Sequence, residues 1–313
     1  MRAHAGRRRS RRSPLARHSP DPPSRASAAN VIVASVEHCD SGTATFAFDG
    51  RAEWDACGLV PAQQEKFVQD FRSELARIEA WARRANWPLS APTDLRVFVS
   101  GRYKISKSLV PGWFGEKGRM EFPEWRVLSG CAAISHELVH VFYPNGNRLL
   151  AEGLAVHVQA EIGRNPAFPN FGRPLHSLAR EVFHEMAVGA EAAALEAVAE
   201  MDRIATPNAL VLKVGADVYA EDAYGQARVY PIAGSFVRFL IERHGMRDFR
   251  DLYCRTPLIS FECRAGSPNR WIDIYGRSLA ELALDWKRTI VDAIACTSTA
   301  DKGKKGRLEV RSS

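Results

Sequence analysis

A chain of 313 residues, 46% apolar and 25% charged, has ample material for a packed core and the composition of an ordinary globular protein. It has no run of eighteen apolar residues, so no transmembrane helix is expected. The formal charge of +7 sits at the ends: residues 1–30 hold eight Arg against one Asp, residues 301–313 hold five basic side chains against two acidic ones, and 31–300 are left at −3, which argues against a basic nucleic-acid groove on the fold itself.

Residues 1–30 are rich in Arg, Ser, Pro and Ala and nearly devoid of large apolar side chains, so burial cannot offset their ordering entropy and they read as a disordered basic tail. They lack the apolar run of a secretory signal, which makes the cytoplasm the default location. An extracytoplasmic location stays open if the true start lies downstream. Residues 301–313 read as a flexible basic tail, and 31–300 as one domain with a mixed α/β part (31–147) followed by a mainly helical part (148–300).

Short apolar runs in 31–58, interrupted at Asp49-Gly50, predict strands with a turn. From Pro61, the three- and four-residue recurrence of Phe67, Val68, Phe71, Leu75, Ile78 and Trp81 predicts an amphipathic helix ending before Trp87-Pro88. Leu95, Val97 and Val99 predict a strand. A Gly-rich stretch follows, and then Arg119 to Phe122 as a further short strand. Helical patterns cover 130–143, 149–162, 175–203, 231–244 and 278–295. A mixed first half followed by a helical second half predicts an α+β fold: a small N-terminal mixed sheet with an edge strand, a helix pair, and a mainly helical C-terminal lobe. None of the six cysteines has CxxC spacing. The pairs Cys39/Cys57 and Cys254/Cys263 are spaced for disulfides in an exported protein, and unrelated buried thiols are the alternative.

The segment with most chemical content is His136-Glu137-Leu138-Val139-His140, an HExxH motif. Residues four apart share a helix face, so both imidazoles can reach one ion. Glu137 is rotated about 100° away, beside that ion, where a general base for water belongs. A catalytic zinc takes three protein ligands and keeps a fourth position open. After the turn Pro144-Asn145-Gly146-Asn147 a second helix begins, and Glu152 stands about as far above the turn as His140, roughly 5–6 Å at 1.5 Å per residue. His136, His140 and Glu152 are therefore the candidate ligands of one catalytic Zn2+. Tyr143 and Gly146 stand where a metzincin needs Gly and His, which excludes that branch.

His136 to His140 followed by Ala151-Glu152-Gly153-Leu154-Ala155 resembles the gluzincin zinc metallopeptidases, and more closely the peptidase MA-like proteins with their HExxH…NEGLA pattern; Ala151 replaces the usual Asn. The resemblance extends through Tyr230 to Gly245, similar to the helix that brings a Tyr beside the metal, and through Tyr275 to Leu282 with Trp286, similar to the closing helix. It implies a zincin-like domain that hydrolyses a peptide or protein substrate, with Glu137 moving protons and Tyr230 stabilising the oxyanion; Tyr224 is the alternative hydroxyl. Gly118 to Phe122 is similar to the GxMEN segment of gluzincin aminopeptidases, with Phe122 in place of Asn. The plainer reading is an edge strand lining the cleft, to which a peptide adds as a further strand. His157 points away from the metal, and His176 and His184 read as surface residues. Endopeptidase and aminopeptidase activity both fit the motif. Two rivals share the sequence: a zinc-stabilised scaffold, which has no use for Glu137, and a nucleic-acid-associated protein acting through its Arg-rich tail, whose salt-sensitive binding would vanish on truncation to Val31.

Overall fold

The computed structural model describes residues 52–89, 95–108, 118–163, 167, 170–185, 198, 202, 211–214, 217–220, 226–256 and 267–290. The two tails, the strands expected before residue 52 and Tyr224 lie outside them. The architecture is α+β, as the element order predicts.

Strands β1 (Ala52–Asp55), β2 (Arg96–Ser100), β3 (Lys107–Ser108) and β4 (Arg119–Pro123) form one sheet in the order β1-β2-β4-β3. β1, β2 and β4 run parallel, and β3 pairs antiparallel with β4, placing Lys107 opposite Glu121 and Ser108 opposite Met120. The strand of Arg119 to Phe122 is therefore interior, and the edge beyond it is the two-residue β3. Burial of four of the five β4 residues is the pattern of a strand covered on both faces, which an edge strand does not need.

Helix α1 (Pro61–Ala85) crosses the sheet with the face its periodicity predicts: Phe67 meets Phe122 and Trp54 edge-on at centroid distances of 5.5 and 6.0 Å. It ends where Asn86 takes the left-handed conformation (φ 50°). The short α2 (Glu124–Leu128) leads from β4 into α3 (Ile134–Phe142), and a buried turn joins α3 to α4 (Arg148–Ile162). Then come α5 (Leu175–Glu185), the antiparallel hairpin β5 (Val211–Val214) with β6 (Asp217–Ala220), α6 (Gln226–His244), α7 (Met246–Arg255), α8 (Asn269–Tyr275) and α9 (279–290).

Two aromatic clusters tie these layers together. Trp87 packs against Tyr143 (4.7 Å) and Tyr253 (5.2 Å), joining the ends of α1 and α3 to α7. Phe236 and Phe183 pack on Trp286 (5.5 and 5.8 Å), joining α6 and α5 to α9. α4 and α6 cross closely, because each presents a glycine. A Cβ added at Gly153 would lie 2.3 Å from a methyl of Val237, and one at Gly234 would lie 2.3 Å from a methyl of Val156.

Several elements depart from expectation. α6 starts at Gln226 rather than 231 and carries Pro231 inside it. Proline removes one backbone donor and crowds the carbonyl four residues before it, a cost that burial of Val229, Tyr230, Ile232 and Ala233 offsets. The pattern expected over 175–203 forms a helix to Glu185, with Val198 and Asp202 again helical. α2, α7, α8, β3 and the β5/β6 hairpin are not among the predicted elements. The Cys39/Cys57 pairing does not form: Cys57 is a free thiol beside Glu124, as Cys131 is also free. Cys254 is disulfide-bonded, and Cys263 lies outside the described residues.

Candidate metal centre

α3 is held at its start by an acid from another element. The Glu74 carboxylate, on α1 and buried, accepts from the Ser135 backbone N–H (2.8 Å) and from its hydroxyl (2.5 Å). This satisfies a donor that a helix N-terminus otherwise leaves open, and it puts negative charge at the positive end of the helix. Burial pushes the Glu74 carboxyl up, against the two bonds from Ser135.

The turn after α3 is buried, so its polar groups need partners. Asn145 donates to the Tyr253 carbonyl (3.0 Å) and accepts from the Asn147 N–H (2.8 Å). Asn147 caps α4 by accepting from the Leu150 N–H (3.2 Å) and donates to Asp202 Oδ1 (2.9 Å), which also takes Arg270. The antiparallel α3/α4 hairpin is thus fixed, and with it the height of Glu152 relative to the histidines.

His136 Nε2 and His140 Nε2 are 3.1 Å apart; Glu152 Oε2 is 3.1 Å from the first and Oε1 3.2 Å from the second. All three residues are buried. Donor atoms around a tetrahedral ion with ~2.0–2.1 Å bonds stand ~3.3 Å apart, close to this triangle. The two ring nitrogens face each other and can share one proton at most, and each also faces an oxygen of the Glu152 carboxylate. A single cation would satisfy all three donors at once. The group can hold a metal ion.

Arg148, one turn before Glu152, reaches its Oε1 at 2.5 Å. Burial pushes the Glu152 carboxyl up, but Arg148 and His140 outweigh burial and hold it well below the usual carboxylate range. Arg148 thus supplies a polar partner for the ligand although position 151 is Ala.

Glu137 does not join the triangle. Its Oε2 accepts from the Ser108 hydroxyl on β3 (2.8 Å), which also lies 2.9 Å from the Glu137 carbonyl. Burial pushes its carboxyl up to about 7, with His136 and Ser108 pulling the other way. It faces a cavity of about 20 Å3 shared with Arg126, Ala133, His136 and Tyr230, room for a single water. The Tyr230 ring lies over His136 at 5.6 Å and 31°.

The five residues selected from the sequence therefore come together. Glu121 does not join them: it is tied to Lys107 and Arg119, each at 2.9 Å. His157 lies on the far side of α4, 3.5 Å from Glu161, and burial holds its imidazole down to about 4. It borders a cavity of about 540 Å3, which contains none of the metal group. His184 is exposed as expected, but His176 is half-buried, 2.8 Å from Ser235 Oγ. Sequence reasoning missed Glu74, Ser108, Arg126 and Arg148. Only Arg148 carried a signal, its four-residue spacing from Glu152. A scan against protein-family models and searches of curated proteins and of solved structures return no match.

Proposed function

We propose that this chain is a zinc-dependent peptidase with Glu137 as its general base. The observation that carries the reading is the convergence of two imidazole nitrogens and a carboxylate on one point, with a second carboxylate and a Tyr facing a water-sized space beside it. Two nitrogens and one oxygen suit zinc, and His136, His140 and Glu152 would hold it with a fourth position left open. Bound there, zinc supplies Lewis acidity toward a water and a substrate carbonyl.

The remaining work falls to the chain. Glu137 takes the proton of the attacking water and returns it to the leaving amine, and a carboxyl near 7 is matched to both transfers at neutral pH. Ser108 fixes one oxygen of Glu137 and leaves the other for the water. The Tyr230 hydroxyl donates to the oxygen that gains charge. A zinc-stabilised scaffold would share the three ligands, yet it gains nothing from burying Glu137, whose charge burial disfavours.

The test pairs metal analysis with turnover. Wild type should carry near one zinc per chain, His140→Ala should lose it, and Glu137→Gln should keep the metal while losing cleavage of an unstructured protein. Zinc without cleavage would favour the scaffold. No zinc even after adding the metal would end the proposal.

A further inference from the structure

The cavity of about 540 Å3 that His157 borders is framed by α1, α4, α6 and the first residue of α7. Its size falls within the range of about 300–1,000 Å3 typical of small-molecule sites. Trp81 and Ala85 of α1, Ile241 of α6 and Met246 of α7 give it apolar walls. Its charged lining comes as two solvent-accessible ion pairs: Arg84 with Glu161 (3.4 Å) and Arg238 with Glu242 (2.7 Å). The lining therefore carries no net charge. An ionic ligand would compete with a pair already made, whereas an uncharged one leaves both intact.

His157 is the buried polar side chain of this lining, 8% exposed. Its Nε2 makes no hydrogen bond. Glu161 Oε2 stands 3.5 Å away, longer than the ~2.7–3.2 Å of an N–H···O bond, and already accepts from Trp81 Nε1 at 3.0 Å. Burial keeps the imidazole uncharged at neutral pH. A ring nitrogen of neutral imidazole is either a donor or an acceptor, and a hydroxyl can answer both. The thioether of Met246 favours contact with the edge of an aromatic ring. We propose that this cavity binds a small uncharged aromatic alcohol, its ring against Ile241 and Met246 and its hydroxyl on His157 Nε2. The site is separate from the metal group and does not depend on the peptidase reading.

The test titrates the full chain, by ligand-observed NMR, with four probes that share one ring: p-cresol, toluene, p-toluate and 4-methylbenzylammonium. Ile241→Trp and Ala85→Met narrow the cavity from two sides, so binding lost in these variants belongs to the cavity and binding that survives both lies elsewhere. Circular-dichroism melting identifies a narrowed variant that fails to fold, and the other then carries the comparison. In the cavity, wild type should bind p-cresol about 10-fold more tightly than toluene, the reach of one buried hydrogen bond, and more tightly than either ion. His157→Leu should abolish the preference for p-cresol and retain toluene binding, which also verifies that this variant is folded. No p-cresol binding at its solubility limit, or p-cresol affinity unchanged in the narrowed variants, would overturn the site. Toluene bound as tightly as p-cresol by wild type, a preference that survives His157→Leu, or tighter binding of either ion would overturn the ligand class.

Discussion

Arg148 contributes no atom to the triangle of His136, His140 and Glu152, yet it sets the charge state of one corner. Replacing it with Met removes the cation that holds the Glu152 carboxylate ionised and oriented. Zinc affinity should fall about 10- to 100-fold in competition with a chromogenic chelator. Glu137 yields a prediction of opposite sign for the metal-free protein. Its carboxyl is raised from an ordinary value near 4.5 to about 7, so the fold favours the protonated form. Its contribution is complete below the unfolded value and is lost as pH rises through about 7. Glu137→Gln should therefore raise the melting temperature of metal-free protein at pH 8 and change it little at pH 4, with a gain of at most a few kcal/mol. An equal effect at both pH values would contradict this account. The grouping of His136, His140 and Glu152 was legible because helical periodicity and height above a turn are local properties. Ser108 and Arg126 were not, because only the pairing of β3 with β4 and the placement of α2 bring them to the cavity.

At the scale of elements, the site depends on two supports. Glu74 closes the start of α3 from across the core, and Glu74→Ala leaves a buried N–H and hydroxyl of Ser135 without a partner. Chemical denaturation should show a loss of about 1–3 kcal/mol. The α4/α6 crossing is the other support, since it sets Tyr230 over His136. A methyl group at Gly234 would overlap Val156, so Gly234→Ala should cost about 1–3 kcal/mol and shift α6 outward. Turnover should drop more than zinc content does, and a parallel loss of both would show that the crossing does not position Tyr230. Sequence reading found α1, α3 and α4 because each has a strong apolar stripe and a clear stop. It placed β4 at an edge because a five-residue run does not reveal its neighbours. It passed over α7 although Phe249, Leu252 and Tyr253 have helical spacing, since Gly245 had already closed the preceding helix.

For the whole molecule, a ligand that binds only the folded state stabilises it by mass action. Zinc at 100 times its dissociation constant should add about 2.7 kcal/mol, read as a rise in melting temperature that a chelator reverses and that His140→Ala lacks. The overall class was legible from composition and element order, because a near-neutral core segment with strands first and helices after admits few layerings. The pairing of the two glycines across α4 and α6 was not, since close approach is a property of two helices and neither glycine stands out alone.

The buried turn between α3 and α4 also bears on the order of assembly. His136 and Glu152 are only sixteen positions apart and joined by a turn in which Asn145 and Asn147 each accept a local N–H, whereas Tyr230 stands 78 positions beyond Glu152. Closing the short loop costs less entropy than closing the long one. On the proposed reading the three ligands of the hairpin could meet an ion before the lobe that carries Tyr230 docks, and the bonds of the turn to Tyr253 and Asp202 would complete it afterwards. On that reading metal binding and catalytic competence would be acquired at two separate moments in the life of the chain.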